Sequence, residues 1–237
     1  MNTVLHKANT RGHANHGWLD SWHTFSFAGY YDPSRMHFGA LRVLNDDTVA
    51  PGMGFGKHPH DNMEIISIPL EGDLEHQDSM GTSSVIRKGD VQSMSAGTGI
   101  VHSEKNRNND QMVRFLQIWV IPNQTGVTPR YDQVSIEESA KENKLASVVS
   151  PVGSKEGGVK IHQNAWFHIG KLDQGVILDY SLHDPTNGVY AFILEGEAVV
   201  NDIVLSRRDG LGIQDADQIR IMAQSDTEIL LMEVPMN

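Results

Sequence analysis

The apolar residues of this chain come in short runs that are separated by Gly, Asp, Asn and Pro. Clear examples cover residues 41–44, 64–68, 113–120 and 190–194. Runs of this length that are rich in Val, Ile and aromatic residues predict β-strands bounded by turns. Because the strands recur at short intervals, the pattern predicts an all-β protein built as a sandwich or a barrel.

One segment has a different pattern. Ser135 and Glu138 have the spacing of a helical capping box, and Glu137 lies four residues before Lys141, which suits an ion pair on a helix surface. The sequence therefore predicts a surface helix over residues 135–146. A loop-like stretch rich in Pro, Asn and Gly precedes it, so residues 123–150 are predicted to form a linker that contains this helix.

A short internal repeat lies on either side of that linker. Leu70-Glu-Gly-Asp73 recurs as Leu194-Glu-Gly-Glu197, each time after an apolar strand. Leu-Glu-Gly is also a common strand-end turn, but both halves share the order of strand, turn and Gly-containing loop. We therefore expect two tandem β-barrels, with an N-terminal metal-binding domain at 1–122, the linker at 123–150 and a C-terminal domain at 151–237.

Composition narrows the function. The chain has 19 Lys and Arg against 30 Asp and Glu, a formal net charge of −11, and no basic cluster, so direct binding of nucleic acid is not expected. It has no cysteine, which excludes disulfides, thiol nucleophiles and metal–thiolate sites. It does have 12 histidines. Any metal site must therefore use nitrogen and oxygen ligands.

Signals for targeting are absent from the pattern. Residues 1–17 lack the apolar core of a secretory signal, and no stretch approaches the roughly 18 apolar residues that a membrane-spanning helix needs. We expect a cytoplasmic protein, monomeric and without a membrane partner.

The densest chemistry lies in two segments about forty residues apart. His58 and His60 alternate along one predicted strand, and His102 and Glu104 alternate along another. Alternate residues of a strand project from the same face, so two such pairs on facing strands bring three imidazoles and a carboxylate together. Glu64 lies close after the first pair. Spacing alone leaves Glu64 and Glu104 as alternative carboxylate ligands.

The order of these residues resembles the two motifs of the cupin superfamily. The first motif, from Gly through His-x-His to Glu, fits residues 52–64, and its closing Gly72 comes one residue late. The second motif is recognisable over residues 89–106, although Ser95 replaces its Pro and the gap from Gly to His is two residues longer.

Within that superfamily the chain resembles the pirin family, densely over about residues 15–120 and weakly beyond. The resemblance is carried by the segments Thr24-Phe-Ser-Phe27, Leu41-Arg-Val-Leu-Asn-Asp-Asp47, His58-Pro-His60, Leu70-Glu-Gly72, Met94-Ser-Ala-Gly97 and Gly99-Ile-Val-His-Ser-Glu104. It implies a bicupin fold, with one metal ion bound through the residues that match the family ligands, namely His58, His60, His102 and Glu104. It also implies that Glu64 is not a ligand.

The resemblance further implies quercetin 2,3-dioxygenase activity, in which a flavonol ring is opened with O2 and carbon monoxide is released. Imidazole and carboxylate ligands suit a borderline divalent metal, so we expect Fe(II), with Mn, Co, Ni, Cu or Zn as alternatives. Glu104 is the candidate catalytic base for the flavonol hydroxyl. A zinc hydrolase is a weaker alternative, since nothing in the ligand set favours tetrahedral coordination.

A second class of function stays open. Pirin-like proteins include regulators that sense metal or redox state through a protein partner, and the acidic chain is compatible with such a partner. A deep apolar pocket over the metal favours the enzyme, whereas a closed site under a flat charged surface favours the regulator.

The other histidines are assigned to less specific roles. Aligning Gly72 with Gly196 places Leu182 and Asp184 where the first half has its His-x-His pair, so a second metal site is not expected there. His76 is interpreted as a structural or pocket-rim residue. Three N-terminal histidines, His13, His16 and His23, are interpreted as surface or hydrogen-bonding residues, although a second metal site among them is conceivable.

Overall fold

The apolar runs form strands in the computed structural model, which describes residues 1–236. The strands of the first half are β1 (Asn2–His6), β2 (Gly12–Asn15), β3 (Leu19–His23), β4 (Leu41–Val49), β5 (Gly54–His60), β6 (Glu64–Glu71), β7 (Asp73–Asp78), β8 (Ser83–Arg87), β9 (Asp90–Ser95), β10 (Ile100–Asn106), β11 (Val113–Val120) and β12 (Arg130–Ser135). A 3-10 turn covers Ala8–Thr10.

The second half begins with the short helix α1 (Glu138–Lys141). Its strands are β13 (Leu145–Pro151), β14 (Val159–Ile161), β15 (Trp166–Leu172), β16 (Ile177–Ser181), β17 (Asn187–Glu195), β18 (Glu197–Val200), β19 (Ile203–Ser206), β20 (Gly210–Gln214), β21 (Gln218–Ala223) and β22 (Thr227–Pro235). No helix within residues 1–236 has the length and apolar character that crossing a bilayer requires.

Each half is a barrel made of one seven-stranded and one four-stranded sheet. In the first barrel the strand orders are β12-β9-β6-β11-β4-β3-β2 and β5-β10-β7-β8. In the second they are β1-β20-β17-β22-β15-β13-β14 and β16-β21-β18-β19. The predicted all-β fold with two cupin-type barrels is confirmed.

The two large sheets pack against each other through their outer faces. One buried cluster joins Leu116 and Ile118 of β11 to Phe167 of β15 and to Tyr190 and Phe192 of β17. Because both sheets bury one face in this shared core and the other inside a barrel, their strands are apolar over nearly their whole length rather than alternating.

The ends of the sheets differ from the predicted domain boundaries. Strand β1, at the start of the chain, pairs with β20 of the second barrel, from Asn2 opposite Gln214 to His6 opposite Gly210. Strand β12 lies within the predicted linker but pairs with β9 of the first barrel. The edge strand of each barrel therefore lies outside the segment predicted for that barrel, 1–122 for the first and 151–237 for the second. In each barrel this strand pairs with a strand edge that would otherwise be exposed.

The predicted helix over residues 135–146 is wrong in extent. Only Glu138–Lys141 is helical, and the residue before it, Glu137, makes no side-chain cap. Ser135 is instead the last residue of β12, and its hydroxyl donates to Asp90, the first residue of β9. Lys141 pairs with Glu138 at 2.8 Å. The local capping pattern was overridden because the β12–β9 pairing consumes the residue that would cap the helix.

Candidate metal centre

Three histidines meet at one end of the first barrel. His58 and His60 lie on β5, and His102 lies on the neighbouring antiparallel strand β10, directly opposite His58. Their ring centroids are 4.4 Å apart for His58 and His102 and 4.9 Å apart for the other two pairs. One ring nitrogen from each lies within 4.8 Å of the others, so strand alternation places three ligand atoms around one point.

Two features show that this triad suits a metal ion. Both ring nitrogens of His102 are buried and have no hydrogen-bond partner among the described residues, which is costly for a polar group unless something else binds it. The Nδ1–H of His58 donates to the carbonyl of Gly56 at 2.7 Å, which leaves its Nε2 lone pair free.

The charge state of the triad is also suitable. Burial, followed by the neighbouring histidines, lowers the pKa of His102 to about 2. Burial and His58 lower the pKa of His60 to about 4. Both imidazoles are therefore neutral near pH 7 and can offer lone pairs to a cation.

Glu104 lies on β10 two residues after His102 and is buried, but its carboxylate is outside the group of mutually close ligand atoms. It accepts hydrogen bonds from Ser67 Oγ at 3.1 Å and from Gln117 Nε2 at 3.0 and 3.2 Å. A bulge in β5 shifts the pairing with β10 between His102 and Glu104. Ligation by Glu104 stays a prediction.

Glu64 has a different environment. It begins β6, is buried, and accepts a hydrogen bond from Ser95 Oγ at 2.7 Å. Burial raises the pKa of this carboxyl. It is not among the atoms that converge with the histidine triad.

The site has neighbours on other strands, of which the sequence singled out only His76, as a structural or pocket-rim residue. His76 on β7 packs 5.3 Å from His102 and its Nε2 lies 3.0 Å from Asp78. Trp119, interpreted above only as part of an apolar run, packs 5.0 Å from His60, and its Nε1–H donates to Gln117. The signal that could have found Gln117 is its isolation as an uncharged polar residue within an apolar strand.

A cavity of about 530 Å³ lies in the first half of the chain and is lined by residues of β2 to β5 and of the segment after β3, but by none of the triad histidines. Its lining includes Leu19, His23, Phe27, Tyr30, Asp47 and Phe55. Phe27 packs edge-on against Trp119 at 5.3 Å, so an aromatic path runs from the cavity to His60. The volume falls in the range of small-molecule sites, and the mixed aromatic and polar wall is typical of them.

The N-terminal histidines make local contacts. His13 stacks on Trp22 at 4.1 Å and pairs with Asp20, and His23 Nδ1 lies 3.0 Å from Asn45 Oδ1. Asp47, next to this pair inside the barrel, accepts a hydrogen bond from Ser21. Burial raises the pKa of Asp47 to about 7.

Comparison with known proteins agrees with this geometry. Residues 4–120 match the family model described as Pirin, and residues 147–234 match the one described as Quercetinase C-terminal cupin domain. A quercetin 2,3-dioxygenase of Escherichia coli strain K12 is 46% identical over 233 residues, which is 98% of each chain. A pirin-like protein of Caulobacter vibrioides is 39% identical over 222 residues, 94% of this chain and 95% of that protein.

A solved structure is similarly close. The structure of the bacterial pirin YhhW of Escherichia coli in complex with nickel(II) superposes with a TM-score of 0.93, at 44% identity and with 99% of each chain covered.

Proposed function

The chain belongs to the pirin family, and on that premise we propose that it is a metal-dependent dioxygenase of the quercetin 2,3-dioxygenase type, opening a flavonol ring with O2 and releasing carbon monoxide. The observation that carries the proposal is the convergence of His58, His60 and His102. Trp119 and Phe27 connect this triad by ring contacts to an aromatic-lined cavity.

We assign the metal ligands as His58, His60, His102 and Glu104, and the resident ion as Fe(II). The unpartnered nitrogens of His102 and the all-nitrogen-and-oxygen donor set support this assignment. When bound, the ion would acidify the flavonol hydroxyl and mediate electron transfer to O2. Nickel is present in the similar YhhW structure, so the choice of Fe(II) rests on the chemistry required.

The protein supplies orientation and a proton acceptor. Phe27 and Tyr30 provide flat apolar surfaces on which an aromatic substrate can stack, and Phe27 contacts Trp119, which packs on His60 of the triad. Glu104 accepts the hydroxyl proton on a carboxylate oxygen, and the Gln117 amide holds that carboxylate in place. The cysteine-free sequence is compatible with the cytoplasm, where we place the reaction.

The test is oxygen uptake and carbon monoxide release with quercetin by protein loaded with Fe(II). Wild-type protein should show both oxygen uptake and carbon monoxide release. The turnover of Glu104→Gln should fall at least ~100-fold. The control Glu75→Gln, which removes a carboxylate from an ion pair with Arg107, should keep the wild-type turnover. A metal-loaded wild type with neither oxygen uptake nor carbon monoxide release would overturn the proposed activity. Full turnover by Glu104→Gln would remove the role of Glu104 as base.

A further inference from the structure

A second group of histidines and carboxylates lies at the end of the second barrel. Ligand atoms of Glu156, His168 and His183 are all within 4.8 Å of one another. Glu156 lies in the β13–β14 connection, His168 on β15, and His183 in the connection between β16 and β17. By strand order these elements correspond to the end of the first barrel at which β5 leads into β6 and the triad is found.

The ring of His183 is held in a fixed orientation. Its Nδ1 lies 2.7 Å from a carboxylate oxygen of Glu233, and its face stacks on Trp166 at 4.4 Å with the two planes 3° apart. Its Nε2 then points to Glu156 Oε1 at 2.7 Å. An imidazole whose one N–H donates to a carboxylate while the other nitrogen faces a ligand position is the arrangement common to protein metal sites.

Glu233 is itself built into the fold. It is fully buried on β22 and accepts hydrogen bonds from Tyr180 Oη at 2.6 Å, from Asn187 Nδ2 at 2.8 Å and from the backbone N–H groups of His183 and Asp184. Burying a carboxylate is costly without such donors, and here they all come from the short stretch 180–187 that leads from β16 into β17. The connection that carries His183 is therefore anchored and not a free loop.

The second independent observation concerns His168. Its side chain is nine-tenths buried, its Nδ1 has no hydrogen-bond partner among residues 1–236, and its Nε2 lies 3.8 Å from Glu156 Oε2. At 3.8 Å the Nε2 atom is beyond hydrogen-bond distance of the Glu156 carboxylate, so the nitrogen that faces the cluster can bind a cation placed between the two side chains.

We propose that Glu156, His168 and His183 bind a divalent metal ion of the Zn²⁺ or Co²⁺ class, as a second site separate from the histidine triad. Two imidazoles and one carboxylate are a sufficient protein ligand set that leaves positions for water. Ligand atoms around such an ion are roughly 3 to 3.5 Å apart. Glu156, in a partly exposed connection, is the ligand free to adjust to that spacing.

This site differs from the expectation drawn from the repeat. When the two halves are aligned, positions 182 and 184 correspond to His58 and His60, but they are Leu and Asp. The residues of the second cluster lie on β15 and in two connections, so the sequence contains no His-x-His motif that would indicate this cluster. The inference does not depend on the proposed dioxygenase activity.

The test is a metal count on the full chain, stripped by chelator, reloaded with Zn²⁺ or Co²⁺ and freed of excess metal by gel filtration. Wild type should hold two equivalents, and Glu156→Gln and His168→Ala should each hold one. His102→Ala should also hold one, whereas His37→Ala, which removes an exposed histidine outside both clusters, should hold two. With Co²⁺, the visible absorption lost in Glu156→Gln should differ from that lost in His102→Ala.

Circular dichroism identifies any variant that fails to fold, and Glu156→Gln, a partly exposed and isosteric change, keeps the comparison usable. A wild type that holds only one equivalent, and loses it in His102→Ala but not in Glu156→Gln, would overturn the proposal, as would retention of two equivalents by both Glu156→Gln and His168→Ala. Because no flavonol is used, failure here is distinguishable from failure of the proposed activity.

Discussion

The two barrels share a strand order but fill their interiors differently. Inside the second barrel, buried aliphatic residues such as Val189, Ile193, Leu211 and Leu231 form one continuous cluster. Inside the first, the apolar residues are divided into two smaller clusters, and polar side chains lie between them. The buried polar residues there include Asn45, Asp47, Ser67, His76, His102, Glu104 and Gln117.

This difference between the two interiors shows which residues the fold requires and which the metal site requires. Gln117 on β11 and Leu231 on β22 lie on strands at the same place in their sheets. Leu231 packs among aliphatic neighbours, whereas Gln117 donates to Glu104. The same strand order therefore encloses either an aliphatic or a polar interior. In the polar interior the carboxylate of Glu104 has protein donors, whereas the ring nitrogens of His102 have none and are available to a metal ion.

The largest expected effect comes from His102→Ala. It removes one of the three converging imidazoles, so the first site should lose its metal and oxygen uptake with quercetin should fall at least ~100-fold. Stoichiometry by plasma mass spectrometry and an oxygen electrode check the two effects. Normal turnover with the metal absent would show that the difference between the barrels is unrelated to catalysis.

Leu231→Gln tests whether the second barrel tolerates the polar residue of the first. Here the amide would be buried without a built partner and aliphatic contacts would be lost, so the free energy of unfolding should fall by about 4 kcal/mol. Urea unfolding measures this, with Leu231→Met as the volume-conserving control at a loss of less than about 1.5 kcal/mol. An unchanged midpoint for Leu231→Gln would mean that the aliphatic interior is not required.

Asp47→Asn tests how much a buried carboxyl group in the polar interior lowers the free energy of unfolding as the pH rises. Burial raises the pKa of Asp47 to about 7, so the folded chain retains a proton that the unfolded chain releases near pH 4. The stability that this group contributes is complete below pH 4 and is lost as the pH rises through 7. Above pH 7, Asp47→Asn should be more stable than wild type, by about 4 kcal/mol, and the difference should vanish near pH 4.

Thermal unfolding across that pH range measures the effect of Asp47→Asn. Asp110→Asn, which changes an exposed aspartate, serves as the control and should show no such trend. A gain in melting temperature that is the same at every pH would contradict the titration of Asp47.

The smallest expected effect is that of Gln117→Leu, which gives the first barrel the residue type of the second. The loss of the Gln117 amide leaves Glu104 with Ser67 as its side-chain donor, so metal affinity should fall roughly 10- to 100-fold while the chain stays folded. Competition with a chelator measures the affinity. An unchanged affinity would show that Glu104 is positioned without Gln117.

Several features of this protein could be predicted from the sequence because they depend on local periodicity. Short apolar runs between turn residues specify strands, and the alternation of His58 with His60 on one strand places both rings on one face. The all-β class and the convergence of His58, His60 and His102 followed from these patterns, and the two-barrel architecture followed from the internal Leu-Glu-Gly repeat and the family resemblance.

Other features were decided only by tertiary structure. Strand β1 pairs with β20, from the other end of the chain. Helix α1 is short because β12 pairs with β9. The cluster of Glu156, His168 and His183 brings together one strand and two connections. Such contacts depend on many small packing and hydrogen-bond free energies summed over the whole fold, and no local pattern encodes them. The position of the Glu104 carboxylate is of this kind, since Ser67 and Gln117 on neighbouring strands hold it.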